Sequence, residues 1–306
     1  MPVTRHIRGM YKPFLVEAIR LEFLTQHLLD EWDKANQDVV LRHTSSSGIK
    51  HQQKLIQTLI DLTILFSIKY RDMMDKGVSR IVLVKSRQCL NESMPLLKEI
   101  NDTVAIEGFV RELHRLAEDH AEWRKFRSGK YNLSFDDRLK GIVLSTTRTL
   151  KNIITLSAKR GFGSKELTKV LHDYINPHKT PEKPFDIARE ALGASKAFRP
   201  KNVLAGSVQS NLYALTRDEA SEFWRNLTDR IYKNTDWVKG FRWELSSSHI
   251  KCGCVCEAHA KHGMFKRDEE RPKSHPNCLC DWVPVLMSPA EASKLLKSRK
   301  TLYNSN

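Results

Sequence analysis

The sequence lacks any long apolar run. Its most apolar stretch, residues 55–68, is interrupted by polar side chains. It is also shorter than the roughly 20 residues needed to cross a bilayer, so it predicts a buried helix and no membrane contact. The basic N-terminus is followed by no apolar segment, which argues against a secretory signal. Cys89 stands alone and the other five cysteines are too crowded for several bridges, which favours synthesis in a reducing cytoplasm.

Most motifs of enzyme chemistry are also missing. The chain contains no Ser-His-Asp spacing, no phosphate-binding loop and no His-Glu-x-x-His helix. Gly161-Phe-Gly163 lacks the third glycine and the preceding strand of a dinucleotide-binding motif, so it is interpreted as a turn. No repeat of solenoid period and no low-complexity segment is present. The sequence therefore predicts a protein that is not an enzyme.

Negative charge is under-represented. The 306 residues include 51 lysines and arginines against 36 acidic residues, which gives a formal net charge of +15. Such an excess attracts polyanions, so nucleic acid is the first expected partner and an acidic protein the second. A solvated basic surface without a specific partner is the alternative. A hydrophobic content of 40% is ordinary for a globular protein.

Apolar periodicity predicts a mainly α-helical fold. Apolar residues recur at steps of three and four from about residue 13 to residue 37, and a second long helix is expected to end near Gly77. Residues 1–130 thus form a helical region whose apolar stripes need partners, so oligomerisation is expected. Residues 131–176 form a helix-turn-helix segment. Three prolines within residues 176–184 then make a connector before the domain at 185–286 and a basic tail at 287–306.

Soft metal ligands cluster near the C-terminal end. Five of the six cysteines and four histidines fall within residues 249–280, which is typical of a tetrahedral site, usually for zinc. In an extended strand, positions i and i+2 face the same side, so two Cys-x-Cys pairs side by side can direct four thiolates at one point. His259 and His262 are expected in a solvent-facing loop. The predicted ligands are Cys254, Cys256, Cys278 and Cys280, with Cys252, His275 and His249 as alternates.

Two other interpretations of the cysteines remain open. The thiols could be buried and reduced inside a small β-hairpin, or a disulfide could form after release from the reducing cytoplasm. If metal is bound, a site with this many thiols and imidazoles is expected to be closed and structural, because a catalytic zinc keeps an open position and usually has three protein ligands.

The order of motifs carries a family resemblance. Trp243-Glu-Leu-Ser-Ser-Ser-His249 precedes the first cysteines, and His275-Pro-Asn-Cys-Leu-Cys280 precedes a strand containing Pro284-Val285. This order resembles the C-terminal end of minor head proteins of tailed bacteriophages, the Mu F-like (head morphogenesis) family. The resemblance covers roughly residues 132–285. In the family an acidic residue, one spacer and a cysteine are common where this chain has Cys254, and Cys252 is extra.

The resemblance implies a structural role in a virion. Residues 185–286 would be the Mu F-like domain, mainly helical and ending in a small β element stapled by structural zinc. Residues 1–130 would contact the phage portal, the major capsid protein or both. Such proteins lie in the head interior or at the portal, help head morphogenesis after assembly in the host cytoplasm, and contact packaged double-stranded DNA.

The basic tail is the predicted nucleic-acid contact. Non-specific phosphate contacts from such a tail would weaken as the salt concentration rises. A solubilising terminus is the alternative, and too few aromatics are present to stack bases. The predicted DNA-contacting residues are Lys294, Lys297, Arg299 and Lys300.

Two rival functions come from other classes. Ser274-His275-Pro-Asn277 is similar to part of a zinc-dependent phage nuclease of the His-Asn-His type, although a second His-Asn partner at the proper offset is missing. The second rival function is that of a host DNA-binding regulator with a zinc finger, but the sequence lacks a recognisable arrangement for a recognition helix.

Overall fold

The computed structural model describes residues 3–43, 49–118, 123, 127–128, 133–177, 207–233, 235–246, 254–272, 275 and 278–303. The fold is mainly helical, with a small antiparallel sheet towards the C-terminus, as the sequence predicted. In these residues no helix combines the length and the apolar character required to span a membrane.

The strands are short, and most of them lie in the C-terminal part of the chain. The bounds of the helices and strands are α1 Val3–His43, α2 Ile49–Ile100, α3 Thr103–Glu118, β1 Arg127–Ser128, β2 Leu133–Ser134, α4 Phe135–Lys159, α5 Ser164–Ile175, α6 Val208–Tyr232, β3 Val238–Glu244, α7 Val255–His262, β4 Met264–Lys266, β5 Asp281–Leu286 and α8 Pro289–Tyr303.

Helix α2 does not end near Gly77, and that prediction was wrong. A glycine inside a helix costs about 1 kcal/mol relative to alanine. Here Val78 and Ile81 beside it are fully buried, and burial of such side chains offsets that cost. The helix ends at Ile100, and the carboxylate of Asp102 then accepts hydrogen bonds from the amides of Val104 and Ala105 at 3.1 and 3.2 Å to start α3.

The chain forms two compact units. The first contains Met1–Ile19, Asp75–Asn132 and Arg217–Asn306, and the second contains Arg20–Met74 and Leu133–Thr216.

The described residues of the second unit are mainly helical and carry a row of aromatic rings. Trp32 of α1 stacks on Phe66 of α2 with ring centroids 4.8 Å apart, and Tyr70 continues the row to Phe135 of α4. The Tyr70 hydroxyl also lies 2.7 Å from that of Thr216, so the buried phenol has a hydrogen-bond partner.

The helix-turn-helix predicted in this unit is present as α4 and α5. Ser134 caps α4 through a reciprocal pair of hydrogen bonds with Asp137, which is a capping box. At the other end Gly161 takes a φ of 69°, a left-handed conformation that glycine adopts without a Cβ penalty. The amide of Phe162 then donates to the carbonyl of Ser157 at 3.0 Å and closes the helix end.

The first unit contains the sheet that positions the cysteines. Its strand order is β4-β3-β5, all antiparallel, so β3 is central. Trp243 of β3 lies opposite Trp282 of β5, with ring centroids 4.7 Å apart. A Cβ at Gly240 would collide with the carbonyl of Phe265, so β3 needs glycine where β4 approaches. The predicted strand containing Pro284-Val285 is β5, an edge strand that tolerates proline.

Candidate metal centre

The first Cys-x-Cys pair lies at the start of a helix. Cys254 is the N-cap residue of α7, and Cys256 lies in its first turn. The predicted extended conformation is therefore wrong for this pair. Residues 257–261 read Glu-Ala-His-Ala-Lys, and the alanines, glutamate and lysine are strong helix formers. The free amides of a helix N-terminus favour negative charge, which suits thiolate ligands.

The second pair lies directly before β5. The amide of Cys280 donates to the Cys278 sulfur, and the amide of Ser246, just after β3, donates to the Cys280 sulfur, both at 3.4 Å. Because β3 and β5 are paired, the sheet holds the end of one strand against the start of the other. These amide donors orient the sulfurs and offset charge on them.

The four predicted cysteines and one alternate ligand come together. The ligand atoms of Cys254, Cys256 and His275 lie within 4.8 Å of one another, and so do those of Cys256, Cys278 and Cys280. We call these the first triad and the second triad. The members of the second triad are buried, at 0 to 2% exposure. The cluster could thus hold a metal ion, whereas the alternates Cys252 and His249 lie outside the described residues.

Mutual hydrogen bonds and burial raise the pKa of two of these thiols, Cys256 and Cys278, so both hold their protons at neutral pH when no metal is bound. Hydrogen bonds with Cys278 and Cys280, and then burial, raise the pKa of Cys256 well above its usual range. The hydrogen bond with Cys256 lowers the pKa of Cys278, but Cys280 and burial raise it more, to about 11. A metal ion must displace these protons, so its affinity is expected to rise with pH.

A buried arginine supports the ligand loop. Arg225 of α6 is 7% exposed, and its Nη1 donates to the carbonyls of Cys278 at 3.3 Å and Cys280 at 2.9 Å. Its other terminal nitrogen pairs with Glu222 at 3.1 Å. This arginine was not among the residues predicted from the sequence. The feature of the sequence that could have indicated its role is a basic residue placed between the apolar core residues Trp224 and Leu227.

The residue before this arginine holds the next part of the same segment. The indole Nε1 of Trp224 donates to Asp281 Oδ2 at 2.6 Å, and the amide of Trp282 donates to Oδ1 at 2.7 Å. Burial raises the pKa of Asp281, while the nearby Lys85 and the Trp224 hydrogen bond oppose that rise. Lys85 itself is buried over the Trp224 ring, 4.3 Å from its centroid. Two consecutive side chains of α6, Trp224 and Arg225, thus form hydrogen bonds with the segment 278–281.

The two remaining histidines are on α7 and not in a loop. His259 packs edge-on against Trp243 at 5.7 Å, and His262 stacks on Phe265 with ring centroids 4.0 Å apart. The expectation of a loop was therefore wrong, because the helix continues past the cysteines; His262 is exposed, as expected, whereas His259 is half-buried. Neither histidine belongs to a triad.

The predicted basic tail contains helix α8. Lys294 and Lys297 are exposed on it, and Arg299 and Lys300 lie on the same helix, with side chains outside the described part of the structure. Glu291 near its start forms a 2.8 Å ion pair with Lys239 of β3.

Comparison of this chain with protein-family models, with curated proteins and with solved structures finds no match. The Mu F-like resemblance therefore depends on the residues and motifs quoted above.

Proposed function

We propose that this chain is a structural head protein of a tailed bacteriophage, in the head interior or at the portal, with a C-terminal region held together by structural zinc. Its role would be head morphogenesis and contact with packaged double-stranded DNA. The proposal that the chain binds a metal rests on one observation. Four cysteines and His275, from separate parts of the sequence, come together in two overlapping triads.

The nature of the ligands supports zinc. Thiolates are soft ligands, and cysteine-rich sites with a histidine are typical of structural zinc. The burial of Cys256, Cys278 and Cys280 leaves little access for substrate. A closed site of this kind contributes to folding and does not need an open coordination position.

Charge and motif order support the head assignment. The order from Trp243 to Val285 resembles the Mu F-like family, and the +15 net charge suits contact with DNA or with an acidic partner. Helix α1 also presents Val16, Ile19 and Phe23 at helical spacing, each more than half exposed. An apolar face of this kind supports contacts of residues 1–130 with portal or capsid protein.

Elemental analysis tests the metal. Protein purified under reducing conditions and washed with a weak chelator should retain zinc, and Cys278→Ser and Cys280→Ser should lose both zinc and the protection of the C-terminal residues against proteolysis. Cys89→Ala is the matched control, because Cys89 is buried but belongs to neither triad. Absence of metal from the folded wild-type chain would remove the zinc assignment.

Detection in particles tests the location. Phage particles from the source of this gene would be purified on a density gradient, treated with nuclease and probed with an antibody against the chain. We expect the protein to co-sediment with heads and to resist external protease. Its absence from intact heads and from procapsids would contradict the head assignment, whatever the metal content.

Salt-dependent binding tests the DNA contact. Affinity for duplex DNA should fall as salt rises, and neutralising the four basic residues of α8 to glutamine should reduce the slope of log K against log salt by about 3 to 4. The control neutralises four exposed basic residues of α4 and changes the net charge equally. Equal slopes for the two variants would remove α8 as the contact. The control residues are Lys140, Arg148, Lys151 and Lys159.

The nuclease alternative predicts a different result. Here His275 lies among thiols in the first triad, where a ligand role is supported better than a role in cleaving DNA. Metal-dependent nicking of plasmid DNA that disappears in His275→Ala, with zinc still bound, would favour the nuclease. No nicking together with retention in heads is the outcome expected of a structural protein.

A further inference from the structure

Two sulfur atoms of the centre are in direct contact. The sulfur of Cys256, in the first turn of α7, lies 3.2 Å from that of Cys278, just before β5. A disulfide requires a sulfur–sulfur bond of about 2.05 Å. Two zinc bonds of ~2.3 Å at the tetrahedral angle instead place ligand sulfurs about 3.8 Å apart. The observed distance lies between these two values, so a shift of about 1 Å leads to either state.

The position of this pair in the fold favours it over a bond inside either Cys-x-Cys pair. A bond between cysteines two residues apart closes a very short ring and departs from the preferred disulfide geometry. Cys256 and Cys278 are separated by 22 positions and lie on different segments. A bond between them joins the start of α7 to the start of β5, which are the same two elements that a shared metal ion joins.

Oxidation of Cys256 would also remove the metal site. Cys256 is the residue common to the first triad and the second triad. The thiolate is the form of cysteine that binds metal, and a sulfur in a disulfide is no longer a thiolate. Among the described residues, no group of three such ligand atoms within 4.8 Å of one another remains without Cys256. Zinc and a disulfide at this residue therefore exclude each other.

Cys254 gives an oxidant access to the buried pair. Cys256 and Cys278 are buried, whereas Cys254 is half-buried and its sulfur lies within 4.8 Å of that of Cys256. The Cys254 thiolate attacks a small-molecule disulfide, and one small thiol leaves. Cys256 then attacks the Cys254 sulfur and expels the second small thiol. Attack of Cys278 on Cys256 restores the Cys254 thiolate, so one small disulfide is reduced, one protein disulfide forms and the zinc ion is released.

We propose that oxidation by a small-molecule disulfide exchanges the zinc of this centre for a disulfide between Cys256 and Cys278. This inference rests on the zinc assignment of the proposed function and adds redox control of the same site. In a reducing cytoplasm the thiols hold zinc, and outside it, where disulfides persist, the covalent bond takes its place. A head protein that is assembled in the cytoplasm and later leaves the cell would keep its C-terminal region joined in both environments.

The zinc-loaded full chain tests the exchange. It is incubated with oxidised glutathione, and with reduced glutathione as the control, while a chromophoric chelator reports zinc release. Fragmentation of non-reduced tryptic peptides identifies the linkage. We expect one zinc ion released per disulfide formed, a bond between Cys256 and Cys278, and recovery of zinc binding after treatment with dithiothreitol and added zinc. Retention of zinc, or a different linkage, would overturn this inference alone, whereas absence of zinc from the starting protein would overturn the zinc assignment as well.

Two variants separate the disulfide from a general loss of folding. Cys278→Ser and Cys280→Ser are both expected to lose zinc, and with it the resistance of the C-terminal residues to protease under reducing conditions. Oxidised glutathione should restore that resistance in Cys280→Ser, which keeps the proposed pair, and not in Cys278→Ser. Equal resistance of the two oxidised variants would contradict the pairing.

A third variant tests the route of oxidation. Cys254→Ser should form the same linkage more slowly than the wild type, because the two remaining sulfurs of the route are buried. Both proteins are compared after removal of metal, so that a change in zinc affinity does not affect the rate. An unchanged rate would show that the oxidant does not enter through Cys254.

Discussion

The guanidinium of Arg225 donates to the backbone carbonyl of Cys280 at 2.9 Å, which joins the middle of α6 to the last predicted metal ligand. The same nitrogen reaches the carbonyl of Cys278 at 3.3 Å. Donors to the backbone of a ligand loop fix the direction of its side chains without touching the metal. Arg225 is thus a positioning residue for the second triad.

Replacement of this arginine should weaken metal binding. In Arg225→Met the two carbonyls lose their donor, and loss of such supporting contacts typically costs 10- to 100-fold in metal affinity. We expect a reduction in that range, measured by competition with a chromophoric chelator. Arg148→Met, an exposed site on α4, should leave the affinity unchanged. Unchanged affinity in folded Arg225→Met would show that the loop is positioned by other contacts.

The hydrogen bond between Trp224 and Asp281 should appear as coupling between mutations. Trp224→Phe removes the donor, and Asp281→Ala removes a buried acceptor near Lys85. We expect each to destabilise the fold, and the pair to show an interaction energy of about 1 to 2 kcal/mol. Denaturant unfolding of the wild type, both single variants and the double variant measures it.

This double-mutant cycle requires a control pair of mutations that are not expected to interact. Glu107 is exposed on α3, so Trp224→Phe and Glu107→Ala are expected to be additive within about 0.5 kcal/mol. Additivity of Trp224→Phe with Asp281→Ala as well would indicate that the 2.6 Å contact contributes nothing specific to stability.

Local patterns were sufficient to predict much of this fold. Apolar periodicity predicted long helices, and clustering of soft ligands predicted the residues that the structure brings together. The conformation of the first pair was not predictable from spacing, because Cys-x-Cys fits both adjacent same-face positions of a strand and the N-cap and first turn of a helix. Helix formers at residues 257–261 decided the outcome.

Contacts between distant parts of the chain lay beyond such patterns. Arg225 and Cys280 are far apart in sequence, and no local rule pairs an arginine with a carbonyl of a later loop. Gly77 is a second case in which a local rule failed. The low helix propensity of glycine predicted that α2 ends there, but burial of Val78 and Ile81 keeps the helix continuous. Both cases depend on tertiary packing.

Acidification should stabilise the second unit near neutral pH. The hydrogen bond to Asp33, at 2.5 Å, raises the pKa of His172 despite its partial burial. Its stabilisation is complete below the unfolded pKa and is lost as pH rises through the raised folded pKa. Burial raises the pKa of Asp173 to about 6, so its ionisation penalises folding above the unfolded value of 3.8 and fully above about 6.

Asp173→Asn should remove part of this dependence. Oδ2 of Asp173 is buried and has no hydrogen-bond partner among the described residues, so a neutral amide avoids the cost of ionisation. We expect a gain of about 1 to 3 kcal/mol at about pH 7.5 that disappears by about pH 4. Denaturant midpoints across that range measure it. The control is Asp38→Asn, at an exposed position of α1, which should change the free energy of unfolding little at either pH. An equal gain for Asp173→Asn at both pH values would contradict the titration of Asp173.

Helix α8 should depend on its cap. The Ser288 hydroxyl accepts a hydrogen bond from the amide of Glu291 at 3.4 Å, and the Glu291 carboxylate accepts one from the amide of Ser288 at 2.8 Å. Pro289 occupies the first helical position, where its missing amide proton costs nothing. Ser288→Ala should cost about 1 kcal/mol and should increase hydrogen exchange in α8 peptides.

The position of the hydroxyl decides this outcome, so a second serine on the same helix is the control. Ser298 is also exposed, but its hydroxyl donates to the carbonyl of Leu295 at 2.7 Å and caps nothing, so Ser298→Ala should leave exchange unchanged or slower. The ion pair with Lys239, followed by the hydrogen bonds with Ser288, lowers the pKa of Glu291 to about 2. Its contribution is complete above the unfolded pKa of 4.5 and is lost progressively as pH falls from there through about 2, so most of the wild-type protection should persist at about pH 4. Equal exchange in the two variants would remove Ser288 as the cap.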